Sequence, residues 1–422
     1  MSGLFGDVFP AGAAVASGAI GTGLLNAAAG DGAASGGTVR APRLRLLVGG
    51  VVVQGVTEAF VAANNHYAAD RFTISIALGA DPVATASFWG GQDFFLIDLQ
   101  AGFAPATSPL GATAWVSLIQ GAVDSVQIDA LRQTVFLQGR DLTAVFIESR
   151  IQQSFANQTA SDIATTLAAN HNLQAVVTPT TTPVGRYYNN EHDRITLDQF
   201  SRATTKWNLL VWLAEREGFD VFVQGTTLYF QPPTQTSLPA LTLSANPDSA
   251  GGANAIDIVM ERALTLAGDI AVTVKSWSSR QGSAFTQTVT ASGVSGLASQ
   301  GARPQSYVFV RPNPPPDEAP RYATAKAQEL TLHERVVIAR LPGELMLTPR
   351  DMIAITGTGT AFDQLYYIDT IERDIRFDGG FTERIRAKKH LAGPAVHAAR
   401  QSRHRHHDAV KPRIGRPAWN AS

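Results

Sequence analysis

The sequence predicts an α+β protein that is mainly β, with two tube-like β-barrel units flanking a small α/β insertion and extended N- and C-terminal arms. Short segments of alternating apolar and polar residues recur in two separate stretches. A stretch between them carries helix-start signals, and the two ends are Ala/Gly-rich and basic, respectively. The predicted boundaries are 1–42 for the N-terminal arm, 43–140 and 241–390 for the barrel units, 141–240 for the insertion and 391–422 for the basic tail.

The first strand-rich stretch follows the Ala/Gly-rich arm. Residues 43–46 alternate with period two, and Gly49-Gly50 supplies a hairpin turn before three valines. Further strands are predicted at 72–76, 93–99, 115–120, 126–129 and 134–138. This spacing is typical of a small β-barrel or sandwich, and closure into a barrel would remove exposed sheet edges.

The insertion is identified by two capping boxes, Thr159-Ala160-Ser161-Asp162 and Thr196-Leu197-Asp198-Gln199. An apolar stripe then predicts a helix that ends at Gly218, a residue suited to the left-handed C-terminal cap. The stripe consists of Trp207, Leu210, Val211 and Ala214. Residues 219–223 and 227–230 predict a hairpin around Gln224-Gly225-Thr226.

Strands resume near Leu241. They are predicted at 255–259, 270–277, 284–289, 335–341, 352–356, 366–373 and 381–388. A helix is predicted from near Pro320 to about Leu332, because proline suits the first helical turn. Asp378-Gly379-Gly380 predicts the turn of the last hairpin.

Composition narrows the class of protein. Only 16% of the 422 residues are charged, against about 25% in ordinary globular chains. This favours a subunit of a large assembly, although an alanine- and glycine-rich proteome explains it equally well. The absence of cysteine excludes disulfides, thiolate metal sites and cysteine nucleophiles.

Charge is unevenly distributed along the chain. Residues 388–422 hold eight basic residues and one acidic residue, so they carry +7, and the total of −1 leaves −8 for residues 1–387. We expect both ends to be ordered only by contact with other chains, with the tail against an acidic surface. No secretory signal is predicted, and residues 11–30 are too weakly apolar to span a membrane, so synthesis in the cytoplasm is expected.

Two clusters of titratable residues were considered as sites. His404, His406 and His407 provide imidazoles at close spacing, but the neighbouring Arg403 and Arg405 repel cations. Glu191-His192-Asp193 has the residue types of acid/base chemistry, yet adjacent side chains of an extended chain point to opposite faces. A solvated or partner-bound tail and a polar turn are the favoured interpretations.

Two glycine-rich stretches lack the setting of a phosphate-binding loop. Gly357-Thr358-Gly359-Thr360 is predicted to be a turn between strands, and residues 18–23 follow no strand. The basic tail could contact nucleic acid, but Trp419 is its only aromatic residue, so a general anionic partner is equally compatible. No catalytic, cofactor-binding or metal-binding residue is therefore predicted, and we expect no enzyme and no cofactor.

Three longer stretches are more specific. They are Gln138-Gly139-Arg140-Asp141-Leu142 with Phe155-Ala156-Asn157-Gln158-Thr159 after it, Trp212-Leu213-Ala214-Glu215-Arg216-Glu217-Gly218-Phe219, and Arg340-Leu341-Pro342-Gly343 with Leu347-Thr348-Pro349-Arg350-Asp351. In this order they resemble the late control protein D and baseplate hub family of contractile-tailed phages. That family is itself similar to the base of the type VI secretion spike. The arm before Arg40 and the tail after Lys389 match no feature of the family.

The resemblance implies a structural hub of a phage tail baseplate. A homotrimer bearing two tube-like units per chain would present six units to a six-fold tail tube and a three-fold face to a spike. The implied partners are the tail tube or tube-initiator protein, a separate spike chain, the tape measure protein, other baseplate proteins and, transiently, DNA. The acidic balance of residues 1–387 suits a channel that DNA passes through. The location would be the virion, with assembly in the host cytoplasm.

Two other classes remain open. A tail-associated peptidoglycan hydrolase would need a carboxylate beside a sugar-sized cleft, which the sequence does not mark. A receptor-binding β protein would display exposed aromatic residues near turns, and Tyr187-Tyr188 is the only such pair.

Overall fold

A computed structural model describes most of the chain between residues 42 and 398. The described residues are 42–103, 113–151, 155, 158–181, 183–184, 205–233, 238–246, 254–264, 266, 270–278, 283–291, 305–310, 318–390 and 396–398. They fall into two compact units. Unit 1 is drawn from Met1–Arg262 and Leu332–Ala392, and unit 2 from Ala263–Thr331 and Gly393–Ser422.

Unit 1 contains a thirteen-stranded sheet to which both predicted barrel regions contribute. The first region supplies β1 (Pro42–Val48), β2 (Val51–Val53), β3 (Val56–Asn64), β4 (Arg71–Ala77), β5 (Leu96–Phe103), β6 (Val116–Asp129) and β7 (Thr134–Asp141). A short helix, α1 (Ala86–Gly90), buries Trp89 against this half. The turn at Gly49-Gly50 is confirmed, and both glycines have positive φ, as a tight hairpin requires.

The second region completes the same sheet. It supplies β13 (Leu241–Ser244), β14 (Asp257–Arg262), β18 (Arg335–Pro342), β19 (Met352–Thr356), β20 (Leu365–Arg376) and β21 (Gly380–Lys389). The strands β14, β18, β21 and β20 are neighbours in that order, and β13 and β19 pair beside the start of β20. The predicted turn at Asp378-Gly379-Gly380 is confirmed between β20 and β21.

Pairing between β3 and β20 joins the two halves. Thr370 is opposite Asn64 and Arg376 is opposite Glu58 in a seven-residue antiparallel ladder. The prediction of a mainly β chain is confirmed, but the two predicted barrels are not closed. Among the described residues the ladder runs from β14 to β2 without forming a ring, because β3 and β20 use their free edges on each other.

Each half of the sheet covers its own apolar core on one face. In the first half Ile74, Leu99 and Leu137 are buried, and in the second Ile368 and Ile385. Successive side chains of a strand point to opposite sides, and the opposite face is mainly polar, with Phe60 and Val259 exposed on it. Along that face Arg384 forms a 3.8 Å ion pair with Glu372 on the neighbouring strand.

The insertion folds on a core of its own within unit 1. Its elements are α2 (Thr143–Glu148), β8 (Gln158–Thr159), α3 (Ala160–Ala169), β9 (Gln174–Val177), β10 (Pro183–Val184), α4 (Lys206–Glu217), β11 (Asp220–Gln224) and β12 (Thr227–Gln231). The capping box of Thr159 and Asp162 is confirmed, as are the left-handed cap at Gly218 and the hairpin of β11 and β12. The second predicted box, at Thr196, lies outside the described residues.

Unit 2 is a four-stranded sheet with one helix. Its strands are β15 (Ile270–Ser278), β16 (Ser283–Ala291), β17 (Gln305–Val310) and β22 (Val396–Ala398), and its helix is α5 (Glu318–Leu332). Ala319, Ala323 and Ala327 of α5 pack on Val272 and Val274. Three residues of the predicted basic tail thus form a strand of this unit, paired with β16.

A buried carboxylate of unit 1, Glu334, lies beside the places where the chain leaves for unit 2. Its side chain is 2.7 Å from Lys389 Nζ, 3.4 Å from Arg262 Nε and 3.6 Å from Arg335 NH2. These residues stand at the ends of β14 and β21 and the start of β18, so one ion cluster fixes three adjacent strand ends. Removing one member of such a cluster leaves buried charge without compensation.

Candidate functional site at the insertion junction

The candidate site lies where the sheet leads into the insertion, and it begins with the Gln138-Gly139-Arg140-Asp141-Leu142 passage. Gly139 on β7 faces the buried ring of Phe72. A Cβ atom at Gly139 would lie 2.3 Å from Phe72 Cζ and 2.2 Å from the Ala122 carbonyl oxygen. Real Cβ atoms do not make such contacts, so only glycine allows β4, β6 and β7 to approach here.

The next two residues of the passage are held by polar contacts. Arg140 forms ion pairs with Asp124 at 2.6 Å and Glu148 at 2.5 Å. Asp141 is buried and accepts hydrogen bonds from the Thr143 backbone N–H at 3.1 Å and hydroxyl at 2.9 Å. The chain is thereby turned from strand β7 into helix α2.

A second carboxyl, Asp70, lies beside Asp141. Asp141 donates its backbone N–H to the Asp70 carbonyl oxygen, and Asp70 Oδ1 accepts from the backbone and side-chain amides of Asn64. Burial raises the pKa of Asp70 to about 6, while Asn64, Arg350 and Arg373 lower it. Burial also raises the pKa of Asp141 well above its usual range, and the nearby Asp70 carboxylate raises it further. The pair therefore holds a proton at a pH where ordinary aspartates are ionised.

Arg350 reaches the same place from the second half of the sheet. Its guanidinium carbon lies 3.7 Å from the centre of the Phe222 ring, and its Nε is 3.9 Å from Asp220 Oδ2. Its backbone φ is 82°, a left-handed conformation that costs a non-glycine residue on the order of 1 kcal/mol. Such a conformation persists only where the surroundings hold the residue firmly, as the ring, the carboxylate and Asp70 do here.

Three further hydrogen bonds fasten the insertion to both halves of the sheet. The Tyr367 hydroxyl on β20 donates to Asp220 Oδ2 at 3.1 Å. The Tyr67 hydroxyl, in the turn between β3 and β4, donates to the Phe219 carbonyl oxygen at 3.0 Å, and Trp207 Nε1 donates to the Tyr67 carbonyl oxygen at 2.7 Å. We name Asp70, Asp141, Asp220, Arg350 and Tyr367 the junction cluster.

The junction cluster holds three chain segments together. Asp220 is turned towards Arg350 and Tyr367, and the carboxyls of Asp70 and Asp141 accept hydrogen bonds from Asn64 and Thr143. Asp220 and Asp141 are buried. Among the described residues no group of three or more His, Asp or Glu side chains is arranged to hold a metal ion. No described helix is long and apolar enough to cross a membrane.

Most sequence-derived candidates cannot be placed. His404, His406, His407, Glu191-His192-Asp193, Tyr187, Tyr188, residues 18–23 and Trp419 lie outside the described residues. Gly357-Thr358-Gly359-Thr360 forms the predicted turn, in which Asp363 accepts hydrogen bonds from the backbone N–H groups of Thr358 and Gly359. The junction cluster itself was missed, except that Asp141 and Arg350 occur in the motifs that carried the family resemblance. A single charged residue at the start of an otherwise apolar strand, as at Asp220, was the available signal.

Asp70 gives the junction a pH dependence. Its folded-state pKa lies above the usual value, so the folded protein binds a proton more tightly than the unfolded chain does. Its contribution to stability is therefore present at low pH and is lost as the pH rises through about 6. Asp70→Asn keeps the acceptor for Asn64 and removes the charge. Its free energy of unfolding relative to the wild type should rise by about 2 kcal/mol between pH 4.5 and pH 8.

Urea unfolding at a series of pH values measures this difference. Burial lowers the pKa of His171 to about 4, so this residue changes the stability with pH in the opposite direction. Its contribution is the same in both proteins and cancels when their free energies of unfolding are subtracted. Asp81→Asn is the control of opposite sign, because hydrogen bonds from Gln54 and Val83 lower the pKa of Asp81. A pH-independent difference for Asp70→Asn would show that this carboxyl ionises as readily in the folded protein as in the unfolded chain.

The architecture defines a class. Solved structures of tail proteins share this fold. The resemblance indicated by the sequence motifs is thereby confirmed at the level of the fold. No protein-family model matches the sequence, and no curated protein matches it.

Three solved structures illustrate the similarity in fold. The tail protein from Neisseria meningitidis MC58 is 15% identical, with a TM-score of 0.59 over 82% of this chain and 96% of its own. The 43 kDa tail protein of prophage MuSo2 from Shewanella oneidensis is 15% identical, with a TM-score of 0.58 over 82% and 98%. A chain of the half-lidded Francisella PdpA–VgrG complex is 9% identical, with a TM-score of 0.50 over 83% and 58%. At these identities the likeness is one of fold.

Proposed function

We propose that this protein is the structural hub of a phage-type tail baseplate, a homotrimer that adapts a six-fold tail tube to a three-fold spike. The observation that carries the proposal is the pairing of β3 with β20. It makes the two halves of one chain neighbours in a single sheet, with their apolar cores on one side and a polar face on the other. Two sheet halves per chain give six in a trimer.

The proposal keeps the sequence-derived organisation of the chain. Residues 43–140 and 241–390 provide the two tube-like units, with 263–331 folded as part of unit 2, and 141–240 is the insertion. Residues 1–42 and 391–422 are arms that contact other chains, except that Val396–Ala398 pairs with β16. In a closed trimer the tube-like units would complete a ring that a single chain leaves open. Ring closure is a general solution to exposed sheet edges, and both terminal strands of this sheet, β2 and β14, are such edges.

The partners follow from this role. A tail tube or tube-initiator protein would contact one end of the ring and a spike protein the other, with the tape measure protein and DNA in the channel. The virion would be its location, after assembly in the host cytoplasm. The net charge of −8 on residues 1–387 would reduce adhesion of DNA. On the polar face of the sheet, Arg384 has the acidic neighbour Glu372, which lowers the local positive charge offered to phosphate.

This role requires no catalysis. Asp70 and Asp141 are neighbouring carboxyls, and both belong to the junction cluster that fastens the insertion. No observation favours the hydrolase or the receptor-binding alternative over the hub.

Mass measurement tests the proposal. Multi-angle light scattering of the purified protein should give three times the 44.8 kDa chain mass at micromolar concentration. Cryo-electron microscopy of the same sample should show a three-fold ring with six similar sheet halves around a channel. A monomer that stays monomeric when the spike protein is added would contradict the proposal.

A further inference from the structure

The insertion shares only a small apolar contact with the sheet that it is fastened to. Its core consists of its own residues, and among the described strands of the sheet only β5 contributes a buried side chain, Leu96, to that core. Tyr67 and Ala122 pack at its margin and are partly buried. Burial of apolar area is the main force that holds packed elements together, so a small shared core leaves much of this attachment to polar contacts.

Asp70 closes the turn that makes several of these polar contacts. Its Oδ1 accepts hydrogen bonds from the backbone and side-chain amides of Asn64 at 2.9 and 3.1 Å. Tyr67, in the same turn, donates its hydroxyl to the Phe219 carbonyl oxygen and accepts from Trp207 Nε1 through its own carbonyl oxygen. A change in the protonation of Asp70 therefore acts on the turn that holds the insertion.

The junction cluster contains three carboxyls and a single cation. Arg350 Nε lies 3.9 Å from Asp220 Oδ2, and the guanidinium attracts Asp70 as well. Asp141 accepts hydrogen bonds from Thr143 and lies beside Asp70. A carboxylate removed from water is stable only when it is paired. The cluster has a counter-charge for one carboxylate, so the other two are stable as protonated carboxyls.

Two further cations act on these carboxyls, and each has a carboxylate of its own. Arg373 attracts Asp70 but lies 3.5 Å from Glu383, and Lys388 attracts Asp220 but lies 2.8 Å from Asp369. The other titratable side chains around the cluster each have a hydrogen-bond or ion-pair partner: Tyr67, His66 and Asp351. The surroundings therefore do not supply the missing positive charge.

The pKa values of the two neighbouring carboxyls agree with this charge balance. Burial raises the pKa of Asp70 to about 6. Burial raises the pKa of Asp141 well above its usual range, and the Asp70 carboxylate raises it further. A form in which the insertion is detached exposes both carboxyls to water and binds their protons less tightly. The attachment is therefore strongest at low pH and weakens as the pH rises through about 6 and beyond.

We propose that the junction cluster is a proton-operated latch, which holds the insertion on the sheet while Asp70 and Asp141 are protonated and lets it detach locally when both carboxyls are ionised. The detached form keeps the cores of the insertion and of the sheet, because each buries its own residues. The latch goes beyond the proposed hub function, since it operates within one chain and does not depend on trimerisation.

Hydrogen exchange of the full-length protein between pH 5 and pH 8.5 tests the latch. Each exchange rate is divided by that of an unstructured peptide at the same pH, which removes the chemical pH dependence and gives a protection factor. Protection at residues 64–70 and 138–143 should fall by at least about tenfold over this range, because opening returns the pKa of Asp70 from about 6 to its ordinary value. Strand β18 of the same sheet should keep its protection.

Two variants assign the effect to the cluster. Asp70→Asn with Asp141→Asn cannot ionise, so its protection at the junction should not change with pH. Asp374→Asn is the matched control, because Asp374 lies on β20 of the same sheet, is 40% exposed and pairs with Arg376 at 3.0 Å. This control should keep the pH dependence of the wild type.

Three results would overturn the latch. The first is junction protection in the wild type that does not change with pH, which needs no variant to be measured. The second is a parallel loss of protection in β18, which would show that the whole sheet opens and the insertion does not detach by itself. The third is a wild-type pH dependence in the double variant, which would assign the effect to other groups.

Discussion

Arg373→Met should lower the free energy of unfolding by about 3 to 5 kcal/mol at pH 8, because it strands a buried carboxylate. Arg373 on β20 stands opposite Glu383 on β21, and both side chains are almost completely inaccessible to solvent. The Arg373 guanidinium lies 3.5 Å from Glu383 Oε2 and donates to the carbonyl oxygens of Glu344 and Leu347. Methionine fills the space and supplies neither the charge nor the donors.

The pH dependence of this loss separates the charge from the hydrogen bonds. Burial raises the pKa of Glu383 to about 7, and Arg373 lowers it. Below about pH 5 Glu383 is protonated in wild type and variant. At that pH the loss of stability comes only from the missing hydrogen bonds that Arg373 donates. The penalty should therefore grow between pH 5 and pH 8.

Urea unfolding at both pH values measures the penalty, and the double variant Arg373→Met/Glu383→Gln is the control. The double variant should recover most of the lost free energy of unfolding at pH 8 and little of it at pH 5. It removes the unpaired Glu383 charge, but the carbonyl oxygens of Glu344 and Leu347 still lack their donors. Equal penalties at the two pH values would mean that the ion pair contributes nothing to stability.

Gly139→Ala should destabilise unit 1 by about 3 kcal/mol or more, the upper range for overpacking a core. The added methyl group would lie 2.2 Å from the Ala122 carbonyl oxygen and 2.3 Å from the ring of Phe72. Neither neighbour is the end of a flexible side chain, so β4, β6 and β7 must separate. Because Asp141 follows on the same strand, the junction cluster should loosen as well.

Thermal unfolding and hydrogen exchange at residues 65–70 report the two effects. Gly90→Ala is the matched control, because its new methyl group would meet only Ile128 at an ordinary 3.7 Å. That substitution lies at the end of helix α1 and should change stability by less than about 1 kcal/mol. Wild-type stability of Gly139→Ala would show that the strands tolerate a wider spacing here.

The sequence predicted most strands of the sheet but missed β3, one of the two strands that join its halves. Its Val56–Asn64 segment contains Ala59, Ala62 and Ala63, whose small side chains weaken the apolar alternation on which the prediction depends. The predicted strands at 115–120 and 126–129 are one continuous strand, β6, in which Gly121 allows a close approach to β7.

The candidate site was predictable only in part. Gly139, Asp141 and Arg350 stand in motifs that the sequence singled out, yet their mutual position is a property of the assembled sheet. Asp220 meets Tyr367 across 147 residues and Arg350 across 130. A carboxylate with partners so distant in the chain gives no local pattern.

The sequence by itself determined the features that depend only on neighbouring residues in the chain. The Thr159 capping box, the left-handed cap at Gly218 and the glycine turns at 49–50 and 225 depend on a few consecutive residues, because backbone hydrogen bonds and positive φ angles are satisfied within one turn. Only the tertiary structure decided that β3 pairs with β20 and that Arg350 fastens the insertion. Pairing of strands and burial of charge join residues far apart in the chain, and which partners meet is decided by packing of the whole sheet.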